Sequence, residues 1–450
     1  MTVATWIMGS ALAMAAVGSV AAQAPMGPQQ RGPIVQAPHN VAAVDAARVV
    51  ADVRALIARD YVDAEKRKPL DAALARGLAS GRYANLNSVE LSNRINADME
   101  AVAHDKHLNI HFSPDEAKSL AAGAPGDESD EFFGRDGFWA KIARDNNQGV
   151  VKLEVLEGNV RYMNYRGFFW AGDPTKAVID QAMAFLRGGD AIVIDLRDNG
   201  GGSPEAVRYL ASYFVPAGTK LVTFYLKQNA PTSSIAEAVP GGTISGKPVY
   251  VLTSAHTASA AEEFASHVAG FGFGKLVGET TTGAAYRNDL YPVAGAYVLS
   301  LSIGRPELPK GGNWEGAGVK PAIAIGYDRA LAAAQADALG ALTGKAAPAD
   351  RRELDWLATA AKARIADPVP ETKLATYVGS YGERSFSLAG GQLRYARTNG
   401  VNSVILPIGP DLFVIDADPR THIRFLRKDG AISGFQFERM DGTTNLITKG

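Results

Sequence analysis

The chain has 450 residues, no cysteine, and 46 Lys plus Arg against 47 Asp plus Glu. A charge balance this close to zero offers no basic surface for nucleic acid or anionic lipid, and the lack of cysteine excludes a thiol nucleophile, a disulfide framework and thiolate metal sites. With 46% hydrophobic and 21% charged residues the composition is that of a globular protein of about three domains.

Residues 1–24, MTVATWIMGSALAMAAVGSVAAQA, are apolar and small with an Ala-x-Ala-like end, the pattern of a signal peptide, although no Lys or Arg precedes the apolar run. The expectation is export to the periplasm or secretion, and a Pro/Gln-rich linker follows at 25–40. Residues 41–113 read as an N-terminal helical bundle. Ala46, Val49, Val50, Val53, Leu56 and Ile57 form one apolar stripe, Leu70, Ala73, Leu74 and Leu78 a second, and a third helix spans 89–102. The stretch AHDKHLNIHF then carries His104, His107 and His111. The alternation of LNIHF is that of a strand, and with no acidic or cysteine partner identified, one functional histidine is expected rather than a three-histidine metal site.

Residues 114–148 read as a linker with one short helix around 138–143. From 149 to 345 the pattern is α/β. Runs at 150–155 and 160–165 flank a turn, 175–186 is an amphipathic helix, and AIVIDL at 191–196 is a buried strand running into RDNGGG. Ser203, Pro204 and Glu205 then start a helix with cap, N1 proline and first-turn acid in place. Three consecutive glycines demand positive φ or close approach. The Lys-Ser/Thr ending of a phosphate loop is absent, which leaves backbone N–H groups offered to an oxyanion.

The strand VYVLT at 249–253 ends in a turn from which Ala260, Phe264, Val268 and Phe271 recur at helical spacing. Ser259 sits on that turn. Two readings stay open for this segment alone. Ser259 to Glu262 is a capping box, and a hydroxyl at a helix start also faces unpaired N–H donors able to hold an oxyanion. Beyond a helix at 328–342, residues 346–370 read as a linker helix. Seven short alternating runs between 371 and 450 make a small antiparallel β domain, sandwich or barrel.

The ordered motifs IDLRDNGGG, VLTSAHTASAAEEFA, VGETTTGAA and WEGAGVKPAI, preceded by YVDAEKRKPLDAALARGLASGRYANL and DKHLNI, cover about residues 41–326. They resemble the tail-specific (carboxy-terminal processing) serine protease superfamily, in particular its tricorn-core and interphotoreceptor retinoid-binding protein-like branch. The resemblance implies an α/β fold with a crotonase- or Clp-like catalytic core. It also implies an exported serine peptidase with Ser259 as nucleophile and an oxyanion hole from the N–H of Ala260 and of Gly201 or Gly202. The lysine that the processing-protease branch carries after Gly-Glu-Thr is missing. Arg287 cannot replace it, because a guanidinium keeps its proton. The resemblance to the tricorn-like branch instead implies His107, within Asp105-Lys106-His107, as general base and Glu315 as the acid that orients it. His256 is second in line as base. Lys106 departs from the small hydroxyl residue that the tricorn core has beside its histidine.

The implied substrates are peptides or unfolded chains, with no cofactor and no metal. Residues 114–148 are too few for a PDZ-type module, so tail recognition of that kind is not expected. The β domain resembles the small β appendage behind some bacterial peptidases and serine hydrolases, and an accessory role is expected of it. A non-catalytic module binding apolar ligands or peptides on the same fold is the alternative, and a hydratase-like enzyme needing no serine is a weaker one.

Overall fold

The computed structural model describes residues 45–122, 138–226 and 230–449; the signal-peptide and linker readings at 1–24 and 25–40 lie outside them. Helices α1 (Ala46–Asp60), α2 (Ala64–Ala79) and α3 (Ser88–Ala103) come first. Of the residues marked by their spacing, Val49, Val50, Val53, Ile57, Leu70 and Leu74 are buried, while Ala46, Leu56, Ala73 and Leu78 are half-buried. Asn87 caps α3 through Val89 and Glu90 N–H, and the Glu90 carboxylate accepts the Asn87 N–H at 2.9 Å, a reciprocal arrangement that fixes the helix start. The helix ends at His104, in the left-handed conformation. Strand β1 (Asn109–Phe112) follows, then α4 (Pro114–Ala121) in a stretch expected to be loop. Pro114 at the first helical position with Asp115 and Glu116 in the first turn is a helix start, and that signal outweighs the Gly- and Ala-rich composition beyond it.

After α5 (Phe138–Asp145) the chain runs through β2 (Val150–Leu156), β3 (Val160–Tyr165), α6 (Asp173–Arg187), β4 (Ala191–Asp195), α7 (Pro204–Ala211), β5 (Lys220–Leu226) and β6 (Thr232–Ile235). It continues through β7 (Val249–Thr253), α8 (Ala260–Phe271), β8 (Lys275–Gly278), β9 (Arg287–Val293), β10 (Tyr297–Glu307) and β11 (Ile323–Ala324). Two sheets result. One has the order β11-β8-β7-β4-β3-β2, parallel except for the edge strand β2. Its alternating side chains serve two cores: Ile192, Ile194, Val249 and Val251 pack with Met183 of α6 and Phe264 of α8, whereas Val193, Tyr250 and Leu252 meet the next two helices, α9 (Ala330–Thr343) and α10 (Pro348–Ile365). Apolar residues on both faces are what a parallel sheet covered by helices requires. The alanines of α9 let it lie close on β4 and β7.

The second sheet, β1-β10-β5-β6 with β9 also on β10, is antiparallel. Through Asn109↔Ser300 and Phe112↔Tyr297, β1 joins the helical segment to the body of the protein. The N–H of Val62, just past α1, adds a bond to Ser302 O at 2.7 Å.

A short helix, α11 (Glu371–Leu374), leads into eight antiparallel strands, β12 to β19, in sequential order between Gly379 and Thr448. The sheet curls until Lys449 Nζ lies 5.9 Å from the Tyr381 ring at its other end. Its core is aromatic, with Tyr381, Phe386, Phe413, Phe425 and Phe435 packed together. On its outside His422 stacks on Trp356 of α10, ring centroids 3.7 Å apart. Burial pushes the His422 imidazole down to about 4. A lowered folded value means that the unfolded chain takes the proton first, so this contact loses stability as pH falls from about 6.5 toward 4. The His422→Phe variant should therefore lose less of its thermal midpoint than the parent between pH 7 and pH 4.5. Equal losses in the two proteins, by calorimetry, would remove His422 as a cause.

Candidate active site

The parallel strands β4, β7 and β8 end side by side, and the loops leaving their carboxyl ends meet at Ser259. Open α/β sheets form their clefts at this edge. The turn after β7 is tied to the one after β4 by the Ala258 N–H on Asn199 O (3.1 Å) and by Thr257 Oγ1 on Leu196 O (2.8 Å). Ser259 has φ 53° and ψ −122°, a conformation rare for a side-chain-bearing residue. The capping box is present in outline, with the Glu262 carboxylate accepting the Ser259 N–H at 2.9 Å. The Ser259 hydroxyl nevertheless makes no cap hydrogen bond, and its Oγ lies 3.0 Å from His107 Nε2.

Glu262 is fully buried and holds a second loop as well. Its carboxylate accepts Thr281 Oγ1 (2.5 Å), the Gly283 N–H (2.6 Å) and the Ala284 N–H (2.8 Å). That loop, residues 279–286, is laced to the turn carrying Glu315: Gly316 N–H donates to Gly283 O, and Val319 N–H to Thr281 Oγ1.

His107 enters from the turn between α3 and β1. Its carbonyl accepts Ser300 Oγ of β10 at 2.6 Å, which anchors the turn to the second sheet. Burial holds the imidazole below its ordinary range, and the Asp105 carboxylate only partly offsets this. A neutral ring that accepts the Ser259 proton at Nε2 carries its own hydrogen on Nδ1. Nδ1 is buried and finds no partner among the described residues.

Glu315 makes no hydrogen bond to that ring. Its Oε2 accepts the N–H groups of Ala285 (2.6 Å) and Tyr286 (3.0 Å), so it pins the loop beside the histidine. Burial pushes its carboxyl up to about 7, with Asp105 and Glu262 adding to the rise and the two N–H groups opposing it. The other histidines go elsewhere. His104 closes α3, His111 bonds Glu116 at 2.8 Å, and His256 is exposed on the turn before Ser259. Arg287 lies on β9 with its guanidinium 5.8 Å from the Phe224 ring centroid.

Gly201 and Gly202 both have positive φ, 108° and 139°. A Cβ on Gly201 would stand 2.7 Å from Ser259 Cβ, and one on Gly202 2.2 Å from Phe168 O. The Gly201 N–H is already engaged, donating to Asn199 Oδ1 at 2.9 Å. The Gly202 and Ala260 N–H groups meet no acceptor among the described residues, and these are the donors left for an oxyanion. Asn199 is the residue that sequence reasoning missed. Fully buried, it shapes the glycine run with its side chain and holds the serine turn with its carbonyl; its place between a buried strand and the first glycine was the available signal.

Two expectations follow. Gly201→Ala should slow labelling of Ser259 by a fluorophosphonate about a hundredfold. Gly200→Ala, whose added methyl meets nothing within 4 Å, should label like the parent, and matched rates in the two variants would mean that the close approach is immaterial. Secondly, a carboxyl with a raised folded value stabilises the fold at low pH and loses that contribution as pH rises through about 7. Glu315→Gln keeps an acceptor for both N–H groups, so its melting temperature should fall less than the parent's between pH 5 and pH 8.5. Parallel curves would show that Glu315 titrates normally.

Residues 159–325 match the family model described as Peptidase family S41. The carboxyl-terminal-processing protease of Synechocystis is 28% identical over 135 residues, 30% of this chain and 31% of the relative. The chloroplastic carboxyl-terminal-processing peptidase 2 of Arabidopsis thaliana is 28% identical over 149 residues, 32% of this chain and 28% of the relative. These matches thus span about a third of the length of each curated relative. Among solved structures, a photosystem II D1 C-terminal processing protease aligns with a TM-score of 0.41 at 17% identity, covering 63% of this chain and 94% of that one. The segment at residues 159–325 is thus similar to peptidase family S41, and the curated relatives it resembles are carboxyl-terminal-processing proteases of the tail-specific superfamily.

Proposed function

We propose that the protein is a serine peptidase that cleaves peptides or unfolded chains through an acyl-enzyme on Ser259. The observation that carries this reading is the 3.0 Å approach of Ser259 Oγ to His107 Nε2. The two residues lie 152 positions apart in sequence, and their meeting uses a serine conformation that helix capping does not need.

In this reading Ser259 Oγ attacks the scissile carbonyl carbon as its proton passes to His107 Nε2. The carbonyl oxygen becomes an oxyanion facing the Ala260 and Gly202 N–H groups. The C–N bond then breaks, the amine leaves with the proton from His107, and the acyl group stays on Ser259. Water repeats the sequence: His107 takes its proton, the acyl C–O bond breaks, and the proton returns to Ser259. A neutral imidazole is the form required at the start, and burial favours that form. Glu315 acts on the site through the loop it pins at Ala285 and Tyr286 and through its charge near Asp105. Arg287, being always protonated, has no part in proton transfer.

The apolar amino-terminal 24 residues support export to the periplasm or beyond. Among the described residues no helix is long and apolar enough to cross a membrane. Substrate recognition in this reading does without a PDZ-type module, and the β12 to β19 sheet is accessory.

A fluorophosphonate should label Ser259, and Ser259→Ala should abolish the label. The labelling rate should rise with pH along an acid limb lying below the ordinary imidazole value of about 6.5, since burial is the larger influence on His107. His107→Ala should remove that limb with most of the rate, while His256→Ala should change little. A folded protein that takes no label would return the chain to a binding role, and a rate lost in His256→Ala but kept in His107→Ala would move the base to the serine's own turn.

A further inference from the structure

The carboxylate nearest in sequence to the proposed base is Asp105, and it has no hydrogen bond to the imidazole. Its Oδ1 accepts the backbone N–H of His107 at 2.9 Å, and its Oδ2 accepts the Tyr61 hydroxyl at 3.0 Å. Asp105 is 2% exposed and Tyr61 fully buried. Tyr61 is itself fixed: it forms the C-cap of α1, with its N–H on Ile57 O and its carbonyl receiving Arg67. Two bonds, one on each oxygen of the carboxylate, restrain it from turning, so a negative charge stands at a set position beside His107.

The surroundings of His107 show what that charge has to do. Around Asp105 and Tyr61, Glu315 and Tyr286 come from the loops after β10 and β8 and Asp63 from the start of α2, with Glu262 of α8 next to Glu315. Lys106 turns away to Glu100 at 3.0 Å, and the exposed His256 makes no contact with the ring. Among these groups, Asp105 is the one whose charge acts on His107.

We propose that Asp105, clamped by Tyr61, is the positioning residue of the site: it holds the His107 turn by its backbone and stabilises the imidazolium formed when Ser259 gives up its proton. The work that a triad carboxylate does at the ring nitrogen is here done across space, from the residue two positions earlier. This rests on His107 being the base. The role of Asp105 is distinct from that of a fold anchor, because charge and anchoring can be removed separately. In Asp105→Asn an oxygen still accepts the His107 N–H while the charge is gone. In Tyr61→Phe the charge stays while its clamp is gone.

The test follows the rate of Ser259 labelling by a fluorophosphonate against pH in the full chain, with the melting temperature beside it. Asp105→Asn should label about tenfold more slowly at pH 7, with a melting temperature near the parent's. Its acid limb should move to lower pH. The sign is the same whichever group sets the limb, since loss of a neighbouring negative charge makes both His107 and Glu315 harder to protonate. Asp105→Glu should recover part of the rate, and Tyr61→Phe should label a few-fold more slowly with the limb unmoved. An Asp105→Asn protein whose melting temperature falls while its acid limb stays in place would overturn the proposal and leave Asp105 a fold anchor. If Asp105→Asn does not fold, Tyr61→Phe decides: a slower rate at unchanged melting temperature supports the clamp, and an unchanged rate refutes it. Rapid labelling of His107→Ala would sink the assignment of the base, and the role of Asp105 with it, a result separable from failure of Asp105 alone.

Discussion

The backbone of Ser259 is the constraint on which the site depends. A serine at φ 53° and ψ −122° costs on the order of 1–3 kcal/mol and persists only where its surroundings over-determine it. Here they do. Glu262 receives the Ser259 N–H, Ser259 O receives the Glu262 and Glu263 N–H groups, and the preceding residue is tied to Asn199. Gly201 approaches so closely that no side chain fits between the two loops. The conformation takes the hydroxyl off the helix start, where a capping serine would put it, and turns it toward His107. The Glu262 carboxylate on the Ser259 N–H keeps the turn in its strained form.

A second constraint is electrostatic. Asp105 stands beside the imidazole, Glu315 feels the charges of Asp105 and Glu262, and none of the three is held by a lysine or arginine among the described residues. N–H groups and hydroxyls satisfy them instead. Such donors solvate a carboxylate without cancelling its charge, so Asp105 favours an imidazolium while burial favours the neutral ring. The balance lies on the neutral side before reaction. In the proposed mechanism a ring in that condition is free to accept a proton, and the fixed charge nearby lowers the cost of accepting it.

Much of this was legible in the sequence because it is local. The strand-turn-helix around Ser259, the glycine run, the helical stripes of α1 and α2 and the short alternating strands after residue 371 each follow from periodicity or from residues with special backbone needs. Strands β9 and β10 escaped notice although β10 joins β1 to β5: RNDLYPV and the run from Tyr297 to Glu307 mix polar, glycine and proline positions, and their pairing is decided by partners far along the chain. Helix α4 was hidden behind a composition typical of loops. In the site, the family resemblance pointed to Ser259, His107 and Glu315, but hydrogen-bond partners could not be read from the motifs. That Glu315 serves Ala285 and Tyr286, and that Gly201 has already spent its N–H on Asn199, are facts of geometry alone.

The order of the elements bears on where this site begins. The family match at 159–325 contains Ser259, the glycines and Glu315, but neither His107 nor Asp105. Those two arrive from residues that precede it, carried by the end of α3 and held against β10 by β1 and by Ser300. Tyr61, at the end of α1, then fixes Asp105 from a third direction. The helices ahead of the matched domain are therefore part of the candidate site and not a neighbour of it, because His107, the proposed proton acceptor, and Asp105 stand on their framework. A fragment restricted to the matched residues would keep Ser259 and the proposed oxyanion donors and lose His107, the group proposed to make that serine reactive.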